Sequence, residues 1–383
     1  MVDDVISGTL VEPRPYQRRI VSKADAIFGG RYQNPQGETE PPARSVIIES
    51  PTGSGKTVMA LLTCKVLQAT RPDLVVGWVA MRRNLLSQAA KENTEKGINV
   101  ENIHFISMFD RYPESLMNAK LAGKPVLLVV DEAQHDAATS MSHLHNLIEP
   151  AMILGMTATP FRTDKMKLCF DKVIKDAGIH TLIQDGYLSK FDHFTIDKWD
   201  PENVARHYLR EPERWGKSIF YFKNLEQCFS CHSILTSAGV KAEVVTGDSD
   251  WEAQLDRFRD GEIPCLINCM KLTEGFDEPS LQTAWVRDSG KGCTMQMGGR
   301  AFRKFPALPV KNIVQSKNTR WPFLKTAMPE YQYLWQNDDW MSLKINPKIE
   351  QINMNARIAI CSIPVTLPKY LTEKKSRPRR FRT

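Results

Sequence analysis

The chain has 383 residues, with Lys+Arg 51 against Asp+Glu 44 and a net charge of +7. Apolar residues at 42% and charged residues at 25% are ordinary globular values, which exclude a largely disordered or collagen-like chain. The length predicts two domains with some chain to spare, and no apolar run reaches the ~18 residues of a membrane helix.

The opening MVDDVISGTL is acidic and has no basic stretch leading into an apolar one. That argues against a secretory signal and predicts a cytoplasmic protein with no membrane partner. Residues 29–44 are rich in Gly and Pro and read as a surface loop. Apolar runs then recur at 45–49, 74–80, 126–130 and 151–156, with helical patterns between them at 55–69 and 83–95. A second series has apolar runs at 218–222, 241–246, 263–268 and 282–286, with helical patterns at 224–237 and 251–260. This rhythm predicts an α/β fold with two doubly wound parallel sheets. Residues 166–215 read as a mixed connector. Past about residue 316 the rhythm weakens, and Trp321, Trp335 and Trp340 suggest a small packed appendage. From Lys369 to Thr383 seven bases face one acid, so the rest of the chain is nearly neutral. Such a basic tail attracts phosphate backbones without reading sequence, although a solvated tail with no partner has the same composition.

Cysteines are scattered. Cys228, Cys231 and His232 match a haem-attachment string, but that chemistry needs export and no export signal is seen. Cys228 and Cys231 share a face of a predicted helix, and Cys265 and Cys269 form a looser pair on a predicted strand. A zinc site is conceivable, but the second spacing is atypical, and buried reduced thiols are the favoured reading.

Four motifs carry chemistry. Residues 50–57, SPTGSGKT, follow a strand and open a helix. Glycines there let backbone N–H groups turn toward phosphate oxygens, and the helix N-terminus adds positive potential. Thr52, Gly53, Ser54 and Gly55 would form the cradle, Lys56 would reach the β- and γ-phosphates, and Thr57 would ligate Mg2+. Ser50 stands where the strict pattern has Gly. Residues 126–133, VLLVVDEA, end a strand in two carboxylates at the sheet edge where ligands bind. Asp131 would hold the metal and Glu132 would orient and deprotonate water. Residues 157–160, Thr-Ala-Thr-Pro, taken alone are a helix start. In QMGGRAFR, 296–303, Arg300 and Arg303 lie three apart on a predicted helix. They could cross a cleft to the γ-phosphate, although such a pair alone is usually a solvated face.

Taken together and in this order, the motifs resemble the superfamily 2 helicases, over about residues 13–315. The segments RPYQ (14–17), GMTATPFR (155–162), DGYLSKF (185–191), VTGDSD (245–250) and LTEGFDEPSL (272–281) are similar to the RadD-like and XPB-like branch. The resemblance implies two tandem RecA-like parallel-sheet domains, at 1–165 and 216–315, with a connector at 166–215 and a small C-terminal appendage and basic tail at 316–383. It implies ATP and Mg2+ as cofactors and nucleic acid as partner, DNA favoured over RNA. Gln17 is expected at the base edge and Gln296 near the nucleotide. Gly275 and Asp277 would touch ATP and nucleic acid. Thr157 and Thr159 would couple hydrolysis to lobe movement. Arg82, Arg83, Thr246 and Thr273 are candidates for the bound strand's backbone.

Two departures stand out. Gln134 replaces the usual His or Asp after the acidic pair, and is expected to bond across to the second lobe with altered coupling. Residues 316–383 match no common accessory domain, which puts strand separation in doubt. The leading reading is an ATP-dependent helicase or translocase. An RNA remodeller and an ATP-gated clamp that does not cycle are the alternatives. A small-molecule kinase would have no need of the second-domain arginines.

Overall fold

Segments that are apolar on both faces become the inner strands of two parallel sheets. The computed structural model describes residues 2–135, 139–158, 170–269, 272 and 276–343. Met1–Ser342 forms one compact unit. The first sheet contains β1 (Ser45–Glu49), β2 (Val75–Ala80), β3 (Ile103–Ser107), β4 (Val126–Asp131), β5 (Met152–Thr157) and β6 (Lys172–Lys175). Their order is β3-β2-β4-β5-β1-β6. Strands β1, β2 and β4 are covered on both sides, which is why they read as unbroken apolar runs. In register, Glu49 faces Thr157 and Asp131 faces Met156. The phosphate loop, the acidic pair and Thr157 therefore leave neighbouring strands at the same carboxyl edge.

The second sheet contains β7 (Lys190–Ile196), β8 (Ser218–Tyr221), β9 (Ala242–Val245), β10 (Cys265–Asn268), β11 (Thr283–Trp285), β12 (Val310–Ser316), β13 (Gln332–Gln336) and β14 (Asp339–Leu343). Its order is β14-β13-β7-β12-β11-β8-β10-β9. The expected connector at 166–215 is thus divided between the sheets. Strand β6 pairs with β1 of the first sheet, and β7 pairs with β12 and β13 of the second. Nor are the tryptophans after residue 316 a separate appendage. Phe194 of β7 stacks on Tyr333 at 4.6 Å and meets Trp215 at 4.9 Å and Trp340 at 5.1 Å, edge to face. The basic tail, 369–383, lies outside the described residues.

Strands β7 and β12 escaped the periodicity because their buried faces carry polar groups. Each such group has a partner, as burial demands. Lys311 is fully buried, and its Nζ donates to the carbonyls of Pro279 (2.7 Å) and Leu281 (2.8 Å). Burial brings its pKa down to about 8. His193 Nε2 lies 3.0 Å from Gln315 Oε1. Asn312 Nδ2 donates to Arg214 O and Thr283 Oγ1.

The four cysteines gather where the helix Leu225–Ser237 packs on β10. Cys228, Cys231 and Cys265 are buried, and the Cys228 and Cys269 sulfurs are 3.5 Å apart. Burial raises all three buried thiols, Cys265 to about 12, so they stay protonated. Among the described residues no group of three or more His, Cys, Asp or Glu is placed to hold a metal. Among them, too, no helix is long and apolar enough to cross a membrane.

Two histidines are buried in the second sheet's surroundings, and burial lowers both pKa values from 6.5 to about 4. An unfolded chain protonates them first. Their contribution to stability is therefore complete above pH 6.5 and is lost as pH falls toward about 4, up to about 3 kcal/mol each. His207 packs its ring on Trp335 at 4.6 Å. His207→Phe keeps a ring there and removes the charge. Urea unfolding of this variant is expected to show a flatter loss of stability between neutral and mildly acid pH than the parent chain.

Candidate active site

The carboxyl edge of the first sheet opens into a cavity of about 480 Å³, within the ~300–1,000 Å³ usual for small-molecule sites. Thr52, Gly53, Gly55, Lys56 and Thr57 line it from the loop after β1, Asp131 and Glu132 from the end of β4, and Asp277, Arg300 and Arg303 from the second lobe. The sequence-predicted phosphate, acidic and arginine groups thus meet in one place.

The loop owes its shape to two glycines and one carbonyl. Gly53 and Gly55 have φ of 86° and 80°, the left-handed region that side chains resist. The Ser54 carbonyl accepts from Tyr16 Oη (2.6 Å) and Gln17 Nε2 (2.8 Å). Gln17 Oε1 in turn accepts from Arg14 N at 2.9 Å. The Gln17 amide, expected at a base edge, therefore braces the loop, while its side chain still lines the cavity. Ser54 is fully buried and its hydroxyl donates to Pro51 O, with Ser50 Oγ donating to it in turn at 2.7 Å. Ser54 shapes the loop from within, and Ser50 replaces the missing glycine with a hydrogen bond. Gly55 is the last residue before the helix Lys56–Thr70, and no side chain caps its first turn. Those amide N–H groups are left to meet an anion.

Lys56 sits among charges of both signs. Burial lowers its pKa, Glu132 and Asp131 oppose that shift, and Arg300 and Arg303 add to it. The arginines come from the turn Arg300–Phe302 and the residue after it. Arg300 is buried and its Nη1 donates to Phe276 O at 2.7 Å. Arg303 Nε donates to Asp277 Oδ1 at 2.5 Å. A Cβ placed on Gly53 would stand 3.2 Å from Arg303 Nη1 and 3.0 Å from Leu188 Cδ2. The second lobe thus lies directly against the phosphate loop.

Glu132 has φ of 56°, a strained setting for a side-chain-bearing residue. Its carboxylate accepts from Gln134 Nε2 at 3.0 Å, and Gln134 Oε1 accepts from Thr157 Oγ1 at 2.8 Å. These two bonds run along the first lobe. Thr157 O accepts from Ser50 N at 2.9 Å, which ties the thread to the loop.

Among the described residues, Gln296, Arg82, Arg83 and Thr246 do not line the cavity. Gln296 is half-buried on the helix Lys291–Gly299, one turn before Arg300, and does not line the cavity. Arg82 precedes the helix Arg83–Glu95 at the end of β2. Thr246 follows β9 and its Oγ1 accepts from Ser249 N at 3.1 Å. Thr159, Thr273 and Gly275 lie outside the described residues. Sequence reasoning missed Leu10, Leu85 and Gln88 in the cavity wall. It also missed Tyr187, whose ring meets Tyr16 at 5.5 Å and Arg14 at 5.0 Å. An exposed leucine carries no local signal, but Tyr16 and Tyr187 lie inside the RPYQ and DGYLSKF segments.

Comparison with known proteins bears on the fold that carries this cavity. The family model "Type III restriction enzyme, res subunit" matches residues 10–162. A "51.5 kDa protein" of a Lactococcus phage is 23% identical over 61% of this chain and 56% of its own length. The "Putative mitochondrial ATP-dependent helicase irc3" of Schizosaccharomyces pombe is 23% identical over 76% of this chain and 55% of its own. The chain thus spans just over half the length of these relatives. Among solved structures, the ATP-dependent Type ISP restriction-modification enzyme LlaBIII bound to DNA aligns with TM-score 0.57 and 15% identity, over 82% of this chain and 28% of that one. A point variant of S. cerevisiae Dbp5 bound to RNA and ADP BeF3 aligns with TM-score 0.57 and 15% identity, over 90% and 97%. At such identity the structures establish the fold.

The brace on the loop can be tested by stability. A Cβ on Gly55 would meet Gln17 Nε2 at 2.5 Å, whereas one on Gly37, with φ of 83°, meets nothing within 4 Å. Gly37→Ala is expected to cost only the backbone strain, roughly 1–2 kcal/mol. Gly55→Ala is expected to cost clearly more in chemical denaturation, because it also displaces Gln17 from Ser54.

Proposed function

Because the chain has the superfamily 2 helicase fold, with RecA-like lobes in tandem, we propose that it is a nucleic-acid-stimulated ATPase of helicase type, acting in the cytoplasm on DNA rather than RNA. The observation that carries this reading is the approach of Arg303, from the second lobe, to Gly53 of the phosphate loop. A protein that merely holds a nucleotide has no need of a guanidinium brought from another lobe to where a γ-phosphate would lie.

Residue chemistry and the motif resemblance support the roles. Loop amides and Lys56 bind the phosphates. Thr57 and Asp131 offer hard oxygen ligands at one cavity wall, a donor set suited to Mg2+. That ion, when bound, would neutralise charge on the phosphate oxygens. Glu132 orients and deprotonates water, and Gln134 holds Glu132 in its strained backbone setting. Arg300 and Arg303 stabilise the charge that spreads as the phosphoryl group transfers. Asp277 orients Arg303, and Thr157 with Thr159 relays the loss of the γ-phosphate. Closure on ATP and opening after hydrolysis would let each lobe grip the sugar–phosphate backbone in turn. Arg82, Arg83, Thr246 and Thr273 supply backbone contacts. The preference for DNA is supported by the restriction-enzyme family model and the DNA-bound LlaBIII. The likeness to an RNA-bound Dbp5 makes RNA remodelling the second arm of the test.

Steady-state ATP hydrolysis should be measured with no nucleic acid, and with single-stranded, duplex and forked DNA and single-stranded RNA. We expect stimulation by DNA. Glu132→Gln should lose ~10²–10⁴-fold in rate, and Arg303→Ala ~10³-fold or more with nucleotide still bound. Stimulation by RNA alone would move the protein to RNA remodelling. Tight ATP-dependent binding with no stimulation by any strand would sink the motor and leave a clamp. Gln134→Ala should lower kcat about tenfold, the worth of one hydrogen bond, with KM for ATP unchanged.

A further inference from the structure

The loop that follows β3 exposes two aromatic rings that the ATP site does not use. Phe109 and Tyr112 are 60% and 62% solvent-exposed. The residues that flank this exposed stretch turn inward: Met108 is 4% exposed, Pro113 is buried and Leu116 is fully buried. The loop therefore has an inner face that packs and an outer face that carries rings.

This outer face is built. Asp110 N donates to Ser107 O at 2.9 Å, and Phe109 N to Ser107 Oγ at 3.3 Å. Tyr112 N donates to Asp110 Oδ1 at 3.0 Å, and His143 Nε2 lies 2.9 Å from Arg111 O. A backbone held at four points keeps the rings from folding back onto the core. Exposed aromatics on a fixed turn are costly in water and gain by meeting a flat apolar partner.

The surroundings specify which partner. In register, Ala80 of β2 faces Ser107 of β3, and Met108 N donates to Ala80 O at 3.0 Å. The segment Met81–Arg83 therefore leaves its strand beside the aromatic loop. Arg83 and Arg111 are exposed, Arg82 is half-exposed, and Met81 is 40% exposed. Arg111 lies between the two rings in sequence, Arg82 and Arg83 leave the adjacent strand end, and the exposed carboxylates of the loop are Asp110 and Glu114. A planar apolar partner tied to a chain of negative charges is an unpaired nucleotide. In a duplex the bases already stack on each other and their faces are closed.

We propose that Phe109 and Tyr112 form a base-stacking platform for single-stranded nucleic acid, with Arg82, Arg83 and Arg111 holding the adjoining phosphates. The proposal rests on the nucleic-acid reading above and adds to it a preference for unpaired bases on the first lobe. Stacking is tolerant of sequence, because every base has a π-face. The platform therefore suits a track of mixed sequence.

The test uses the full chain and fluorescence anisotropy with labelled oligothymidylate, an abasic oligomer of equal length and a blunt duplex. The parent chain is expected to prefer oligothymidylate to the abasic strand. Phe109→Ala and Tyr112→Ala should each weaken oligothymidylate binding roughly 5- to 100-fold while leaving the abasic strand and the duplex unchanged. Tyr112→Phe should restore the preference, since the ring is what stacks. Arg83→Ala and Arg111→Ala should instead lower the salt dependence for both strands. A parent chain that binds no nucleic acid overturns the proposed function and the platform with it. A parent chain that binds, with alanine variants that keep its preference for bases over abasic sugar, overturns the platform alone. Equal weakening on the duplex does so too.

Discussion

A guanidinium lying over a residue with no side chain is the contact on which the rest of this molecule depends. Gly53 leaves room, and Arg303 and Leu188 of the second lobe occupy it. From below, the loop is fixed because the Ser54 carbonyl takes hydrogen bonds from Tyr16 and Gln17. From above, Arg303 is fixed because Asp277 holds its Nε. A polar contact between two lobes has value only if neither partner can wander, since ordering a long side chain costs entropy. Here each partner is anchored on its own lobe before the lobes meet.

Charge makes that meeting conditional. Lys56, Arg300 and Arg303 converge on Asp131 and Glu132 in a cavity partly removed from water. Cations at close quarters repel more strongly as water is excluded, and burial already lowers the pKa of Lys56. A bound polyphosphate would bring negative charge among all three cations at once. The closed arrangement is then more favourable with a polyanion present than without, which is the differential affinity a ligand needs to shift a two-state equilibrium.

Much of this was legible in the sequence, for a physical reason. Strands β1, β2 and β4 are sheathed on both faces, so they appear as uninterrupted apolar runs. The loop, acidic pair and arginines are tied to chemistry at fixed spacing, and the fold brings them to one edge. What stayed hidden depends on partners distant in the chain. Strand β12 carries Lys311, Asn312 and Gln315, polar residues whose partners lie at Pro279, Arg214 and His193. Strand β7 carries Asp192 and His193, and it is shared with segments after residue 309. No local pattern could join them. The bracing role of Gln17 depends in the same way on a carbonyl 37 residues away.

The buried Lys311 has a consequence for how the second sheet finds its alignment. Parallel strands of apolar residues can slide past one another, because each offset still buries oil against oil. A shift of one residue reverses the faces of a strand. In β12 that shift would swing the Lys311 ammonium away from the Pro279 and Leu281 carbonyls and leave a cation inside the protein with nothing to donate to. The misaligned sheet would be penalised far more than an all-apolar strand would be. Lys311 is thus a key that fits one lock: a source of fidelity in assembly, placed where hydrophobic packing alone cannot distinguish right from nearly right.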